Sequence, residues 1–129
     1  MLFTLSATSQ KRVVGAVGFY NVENLFDTSD DPDINDEEYL PNGEKQWTPE
    51  RYQDKLSKLA KVLSTMAKGA DIIGLSEVEN RQVIQDLINT PQLKRLGYEI
   101  VHQNSPDKRG IDVALIYKKN KFKVINTNW

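Results

Sequence analysis

TPERYQDKLSKLAKVLSTMAKGADIIGLSEVEN, Thr48 to Asn80, joins a helical pattern to a buried-strand pattern and so decides the fold. Thr48 is a good N-cap, Pro49 suits the first helical position, and Glu50 complements the helix dipole. Tyr52, Leu56, Leu59, Ala60, Leu63, Met66 and Ala67 recur at helical spacing as one apolar stripe. Lys55, Lys58 and Lys61 lie outside that stripe. The pattern predicts a helix over 48–68, ended by Gly69. Residues 71–76 (DIIGLS) then read as a buried strand.

Working outward, residues 13–20 (VVGAVGFY) are near-continuously apolar, the pattern of a central strand buried on both faces. Strand, helix, strand implies a right-handed crossover and a parallel pair. Downstream, Asn80 can cap a helix over 81–89, with Val83, Ile84, Leu87 and Ile88 inward and Thr90-Pro91 as its stop. Residues 98–103 and 110–117 alternate like strands, and 121–126 reads as a last strand. The expected fold class is α/β, in the order β-α-β-α-β-β-β. It is a mixed sheet whose last three strands form an antiparallel meander, with helices on one face.

The chain has 129 residues, one domain's worth. Seventeen Lys and Arg against eighteen Asp and Glu give 17 − 18 = −1. That balance excludes a polycationic nucleic-acid coat, whose affinity is summed phosphate neutralisation. It leaves room for a small site that grips one phosphate. The absence of Cys excludes disulfide scaffolds, thiolate zinc sites and cysteine nucleophiles, and a single His excludes a multi-histidine metal site. No apolar run approaches the ~18 residues of a membrane span. Residues 1–9 (MLFTLSATS) read as a signal-peptide remnant or a disordered N-terminus. Ala7 and Ser9 fit a small-x-small cleavage site, which would imply a periplasmic or extracellular protein.

Between Glu23 and Glu50 there are ten acidic residues and one basic, Lys45. Such a segment is too long for a plain connector and is either functional or partly disordered. Asp31-x-Asp33-x-Asn35 imitates the start of a calcium loop. Position six is Asp36 where Gly is required, and position twelve is Asn42 where Glu is required. A non-catalytic calcium-binding or interaction module using the acidic 23–50 loop is therefore the alternative from another functional class.

Ligands of open α/β sheets bind beyond the carboxyl ends of parallel strands. The first buried strand runs into Asn21 and the second into Glu77. An amide and a carboxylate at one rim suit a hard cation such as Mg²⁺, with water and phosphate completing its shell. The plainer reading is that Asn21 caps a turn and Glu77 is a solvated loop carboxylate. Arg109, just before a strand, is placed to fork onto phosphate oxygens. Asp112 could pair with Arg109, hydrate or join the site. His102, the one His, shares a strand face with Tyr98 and Ile100. Its default role is structural, with a phosphate contact as the alternative.

FYNVENLFD, RYQDKLSKLAKVL, IIGLSEVENR and VHQNSPDKRGIDVALIYK, in that order, resemble the endonuclease/exonuclease/phosphatase superfamily with its DNase I-like fold. The resemblance runs from about Val13 to the end. It implies a four-layer α/β sandwich of which this chain carries the N-terminal half, residues 10–129 being an incomplete domain. It also implies a Mg²⁺-dependent phosphoester hydrolase, with Mn²⁺ or Ca²⁺ as possible substitutes. Glu77 is then the metal ligand, Asn21 its orienting partner or water-mediated ligand, and both are catalytic. The implied substrate is nucleic acid first, cut by an endonuclease-like activity. A phosphatase or phospholipid phosphodiesterase is the alternative within the family. The Gly-Asp-x-Asn and Ser-Asp-His segments of the family's second half are absent. The expectation is thus a fragment, inactive or incomplete by itself, with an uncovered sheet face that invites self-association.

Overall fold

The structure is a computed structural model and describes residues 14–128. The expected signal remnant, Val13 and Trp129 lie outside the described residues. Among the described residues, four strands form one sheet: β1 (Val17–Leu25), β2 (Ile72–Val78), β3 (Tyr98–His102) and β4 (Asp112–Lys118). Three α-helices among these residues accompany them: α1 (Pro49–Thr65), α2 (Arg81–Ile88) and the one-turn α3 (Pro91–Lys94). The α/β class and the parallel β1–β2 pair agree with the sequence reading. Among the described residues, no helix is long and apolar enough to cross a membrane.

α1 starts where its cap predicts, with the Arg51 N–H donating to Thr48 Oγ1 at 3.4 Å. Tyr52, Leu56, Leu59, Ala60 and Leu63 of the stripe are buried against the sheet. The stripe ends sooner than expected. Thr65 closes the α-helix, a 3₁₀ turn follows over Met66–Lys68, and Ala67 is exposed with φ 46°. α2 is capped by Asn80, whose Oδ1 accepts the Val83 N–H at 3.0 Å. Its Val83, Ile84, Leu87 and Ile88 complete the core with Ile73, Leu75, Ile100 and Ile116 of the sheet.

Two expectations about strands are corrected. The first strand is not buried on both faces. The helices cover one face, and on the other Val17 and Phe19 are 76% and 68% exposed. The strand also runs on through Asn21 to Leu25 rather than stopping at Tyr20. The last strand, 121–126, does not form. The sheet order is β1-β2-β4-β3, with β4 antiparallel to both neighbours. Both edges of β4 are therefore taken, and a following hairpin strand has nothing to pair with. Instead the Lys121 and Phe122 N–H groups turn back onto the Lys118 carbonyl, each at 3.0 Å. Lys118 and Lys121 both pair with the buried Asp71, each at 3.0 Å.

The acidic segment folds against the body of the molecule. Trp47 Nε1 donates to the Phe26 carbonyl at 2.9 Å, and the Phe26 and Tyr39 rings stack at 4.1 Å. The Asn35 N–H donates to the Lys108 carbonyl at 2.8 Å, which docks the segment on the turn before β4.

Candidate functional site

The carboxyl ends of β1, β2 and β3 share one rim, and both parallel strands are irregular there. Ser76 stands opposite Asn21 and Val113, while the next paired residue of β2 is Val78, opposite Leu25 and Asp112. Glu77 is skipped by both ladders and has φ 64°, in the left-handed region that non-glycine residues seldom occupy. It is the inserted residue of a bulge. Alternation from Ile73 and Leu75 would send residue 77 into the core. The insertion gives that buried place to Val78 and turns Glu77 out to the rim. β1 deforms in step, with Glu23 at φ 54° and Asn24 at φ 61°.

Asn21 and Glu77 are brought together. Asn21 Nδ2 donates to Glu77 Oε1 at 2.7 Å, and Asn21 Oδ1 accepts the Glu23 N–H at 2.7 Å. With both ends of the amide engaged, its orientation follows from the network. The nitrogen faces the carboxylate and the oxygen is spent on the chain. Lys55 reaches the same place from α1. Its Nζ donates to the Glu23 carbonyl and, at 3.1 Å, to the Asn24 carbonyl. Burial lowers the Lys55 pKa, while the carboxylates of Glu23 and Glu77 oppose that shift.

Arg109 stands apart from the pair. Its Nε and Nη2 fork onto Asp107, with an Nη2–Oδ2 distance of 2.6 Å. That guanidinium holds the Asp107 carboxyl down to about 2. Arg109 is exposed and lines a cavity of about 160 Å³ with Asn24, Asn35, Glu38 and Tyr39. His102 and Asp112 form their own pair, Nε2 to Oδ2 at 3.1 Å, with side chains only 2% and 4% exposed. Asp112 Oδ1 also accepts the Ser105 N–H at 2.9 Å. The imidazole is engaged by Asp112 and does not open onto solvent. Asp112 does not pair with Arg109.

Glu79, two residues beyond Glu77, lies in a different environment. It is 5% exposed and accepts the Asp27 N–H at 2.7 Å. Burial foremost pushes its pKa up to about 8, aided by the carboxylates of Asp27, Asp36 and Asp31 and opposed by the Asp27 N–H. Lys55 was legible only as a residue outside the apolar stripe, and the Glu77 bulge had no glycine to announce it.

Among the described residues, no group of three or more His, Asp or Glu side chains gathers into a metal cage. The acidic loop spends its carboxylates on itself. Asp31 Oδ1 accepts the Asp33 N–H, Asp27 Oδ1 the Ser29 N–H and Asp36 Oδ2 the Asp31 N–H, at 3.0, 2.7 and 3.0 Å. What the rim offers is the half-buried Glu77 carboxylate, fixed on one oxygen, with the exposed Glu23 nearby. That donor set suits a hard cation completed by water and phosphate oxygens, as Mg²⁺ prefers.

Residues 16–129 match the family model described as "Endonuclease/Exonuclease/phosphatase family". No curated protein and no solved structure matches the chain.

Proposed function

We propose that this chain, which belongs to the endonuclease/exonuclease/phosphatase family, hydrolyses phosphodiesters of nucleic acid at the Asn21–Glu77 rim. Family membership makes it a phosphoesterase-like protein. The observation that carries the site is the 2.7 Å bond from Asn21 Nδ2 to Glu77 Oε1, on a bulge that points the carboxylate outward. Glu77 would hold a divalent cation, Mg²⁺ first and Mn²⁺ or Ca²⁺ as substitutes. When bound, that ion supplies Lewis-acid stabilisation of charge on the phosphate.

Two further residues of the chain assist. Asn21 fixes one oxygen of Glu77, so the other stays aimed at the ligand. Arg109 is a mobile phosphate contact: its exposed fork exchanges the Asp107 carboxylate for phosphate oxygens of similar geometry. Net attraction for long nucleic acid stays weak, because the 23–50 segment carries ten acidic residues against one basic.

The test is nicking of supercoiled plasmid in Mg²⁺ or Mn²⁺, with Glu77→Gln alongside. Whatever nicking the parent chain shows should fall at least about a hundredfold in the variant, the scale of removing a group that stabilises the transition state. Equal nicking by both proteins would reject Glu77. Hydrolysis of phosphomonoesters without nicking would move the substrate to the phosphatase class.

A further inference from the structure

We infer that Lys55 is a positioning residue for the Asn21–Glu77 pair, an inference that rests on the site proposed above. Sequence pattern makes Lys55 an ordinary solvated lysine of an amphipathic helix. The structure puts its ammonium elsewhere. Nζ donates to the carbonyls of Glu23 and Asn24, the two left-handed residues of the β1 irregularity. Non-glycine residues in that region cost about 1–3 kcal/mol each and persist only where their surroundings over-determine them. Lys55 supplies part of that determination. Two carbonyls pointing at one cation hold the turn, the turn presents the Glu23 N–H to Asn21 Oδ1, and that bond aims Asn21 Nδ2 at Glu77.

The lysine is itself constrained. Its ammonium lies 5.5 Å from the centre of the Trp47 ring, and Trp47 is anchored on the Phe26 carbonyl. A cavity of about 170 Å³ lined by Asn21, Glu23, Lys55, Lys58 and Leu59 lies on its open side. Both sides of the 23–26 segment are therefore tied to helix α1 or to Trp47, two residues before it. The link runs from α1 through backbone carbonyls to the metal-binding carboxylate, without Lys55 touching ligand.

Mn²⁺ affinity of the full 129-residue chain, read by paramagnetic titration, is the primary measurement. The Asn21 side-chain NH₂ resonances are the second, and they report the bond to Glu77 with no metal present. Lys55→Met is expected to weaken Mn²⁺ by up to about tenfold, the low end of the loss for a direct outer-shell partner of a metal ligand, since Lys55 acts through the Glu23 and Asn24 carbonyls. It should also shift the Asn21 NH₂ signals, and Lys55→Arg should recover most of both. Tyr52→Phe, which removes the 2.8 Å bond to Asp86 on the same helix, is the control for general loosening.

Unchanged Mn²⁺ affinity and Asn21 signals in Lys55→Met would overturn the inference. So would losses that Tyr52→Phe reproduces at equal loss of thermal stability. If Lys55→Met does not fold, Lys55→Gln carries the same readouts. Should Glu77→Gln leave Mn²⁺ affinity intact, the metal site itself fails. The Asn21 resonances then still decide the role of Lys55.

Discussion

Glu79 sits two residues beyond Glu77, yet its surroundings give it the opposite character. Glu77 is turned out by the bulge, whereas Glu79 follows Val78 back into cover, where burial and the carboxylates of Asp27, Asp31 and Asp36 raise its pKa to about 8. The sign of the resulting pH dependence follows from linkage. An acid whose folded pKa lies above its unfolded value near 4.5 favours the native state in its protonated form. That contribution is full below about 4.5 and is lost as pH rises through about 8. Thermal stability measured between pH 5 and about 9 should fall over this window, and Glu79→Gln should flatten the slope. An identical slope in the variant would place the titrating group elsewhere. Asp36 adds to the same cluster. One of its oxygens is buried without a partner, and burial raises its pKa too.

At the level of elements, what was legible follows from how local each signal is. α1 and α2 were readable to within a few residues because cap, proline and apolar stripe all lie inside one segment. Asn21 and Glu77 were readable as partners because a parallel β-α-β unit must bring two strand ends to one rim. The insertion at Glu77 was not readable, since a left-handed glutamate is imposed by two flanking ladders and not by its own propensity. The false strand at 121–126 failed for the same kind of reason. Its sequence suits a strand, but β3 and β2 occupy both edges of its expected partner.

The acidic segment shows how one position can govern an element's docking. Gly110 has φ 64°, and a Cβ there would lie 2.2 Å from Ile34 Cδ1. Gly110→Ala should therefore displace the segment from the turn that carries Arg109, at a stability loss of about 1–3 kcal/mol. Hydrogen exchange at the Asn35 amide, bonded to the Lys108 carbonyl, reads the event directly. Faster exchange there, with α1 unaffected, is the expected result. An unchanged Asn35 amide would mean that Ile34 does not hold the segment down.

At the scale of the molecule, among the described residues the helices cover only one side of the sheet. On the other, Val17, Phe19 and Val113 are each more than 60% exposed, and Leu115 is 37% exposed. Gly74 lets Phe19 lie across the neighbouring strand, since a Cβ there would come within 2.8 Å of its ring. A contiguous apolar face of this kind drives association when nothing covers it. Burying a Phe side chain alone contributes about 1.5–3 kcal/mol. The 129-residue chain is therefore expected to associate with rising concentration, measured by sedimentation velocity from micromolar upward. Phe19→Lys should shift it toward monomer with little change in fold, because the position is exposed in the single chain. The rim adjoins the open face, Asn21 following Phe19 by two residues on the same side of β1, but the carboxylate proposed to hold the ion is on β2, so the two properties should part. Phe19→Lys should keep Mn²⁺ affinity while losing association, and Glu77→Gln should do the reverse. A chain that stays monomeric at all concentrations would mean that the face is tolerated in water, and a Phe19→Lys variant that loses Mn²⁺ would mean that the face supports the rim.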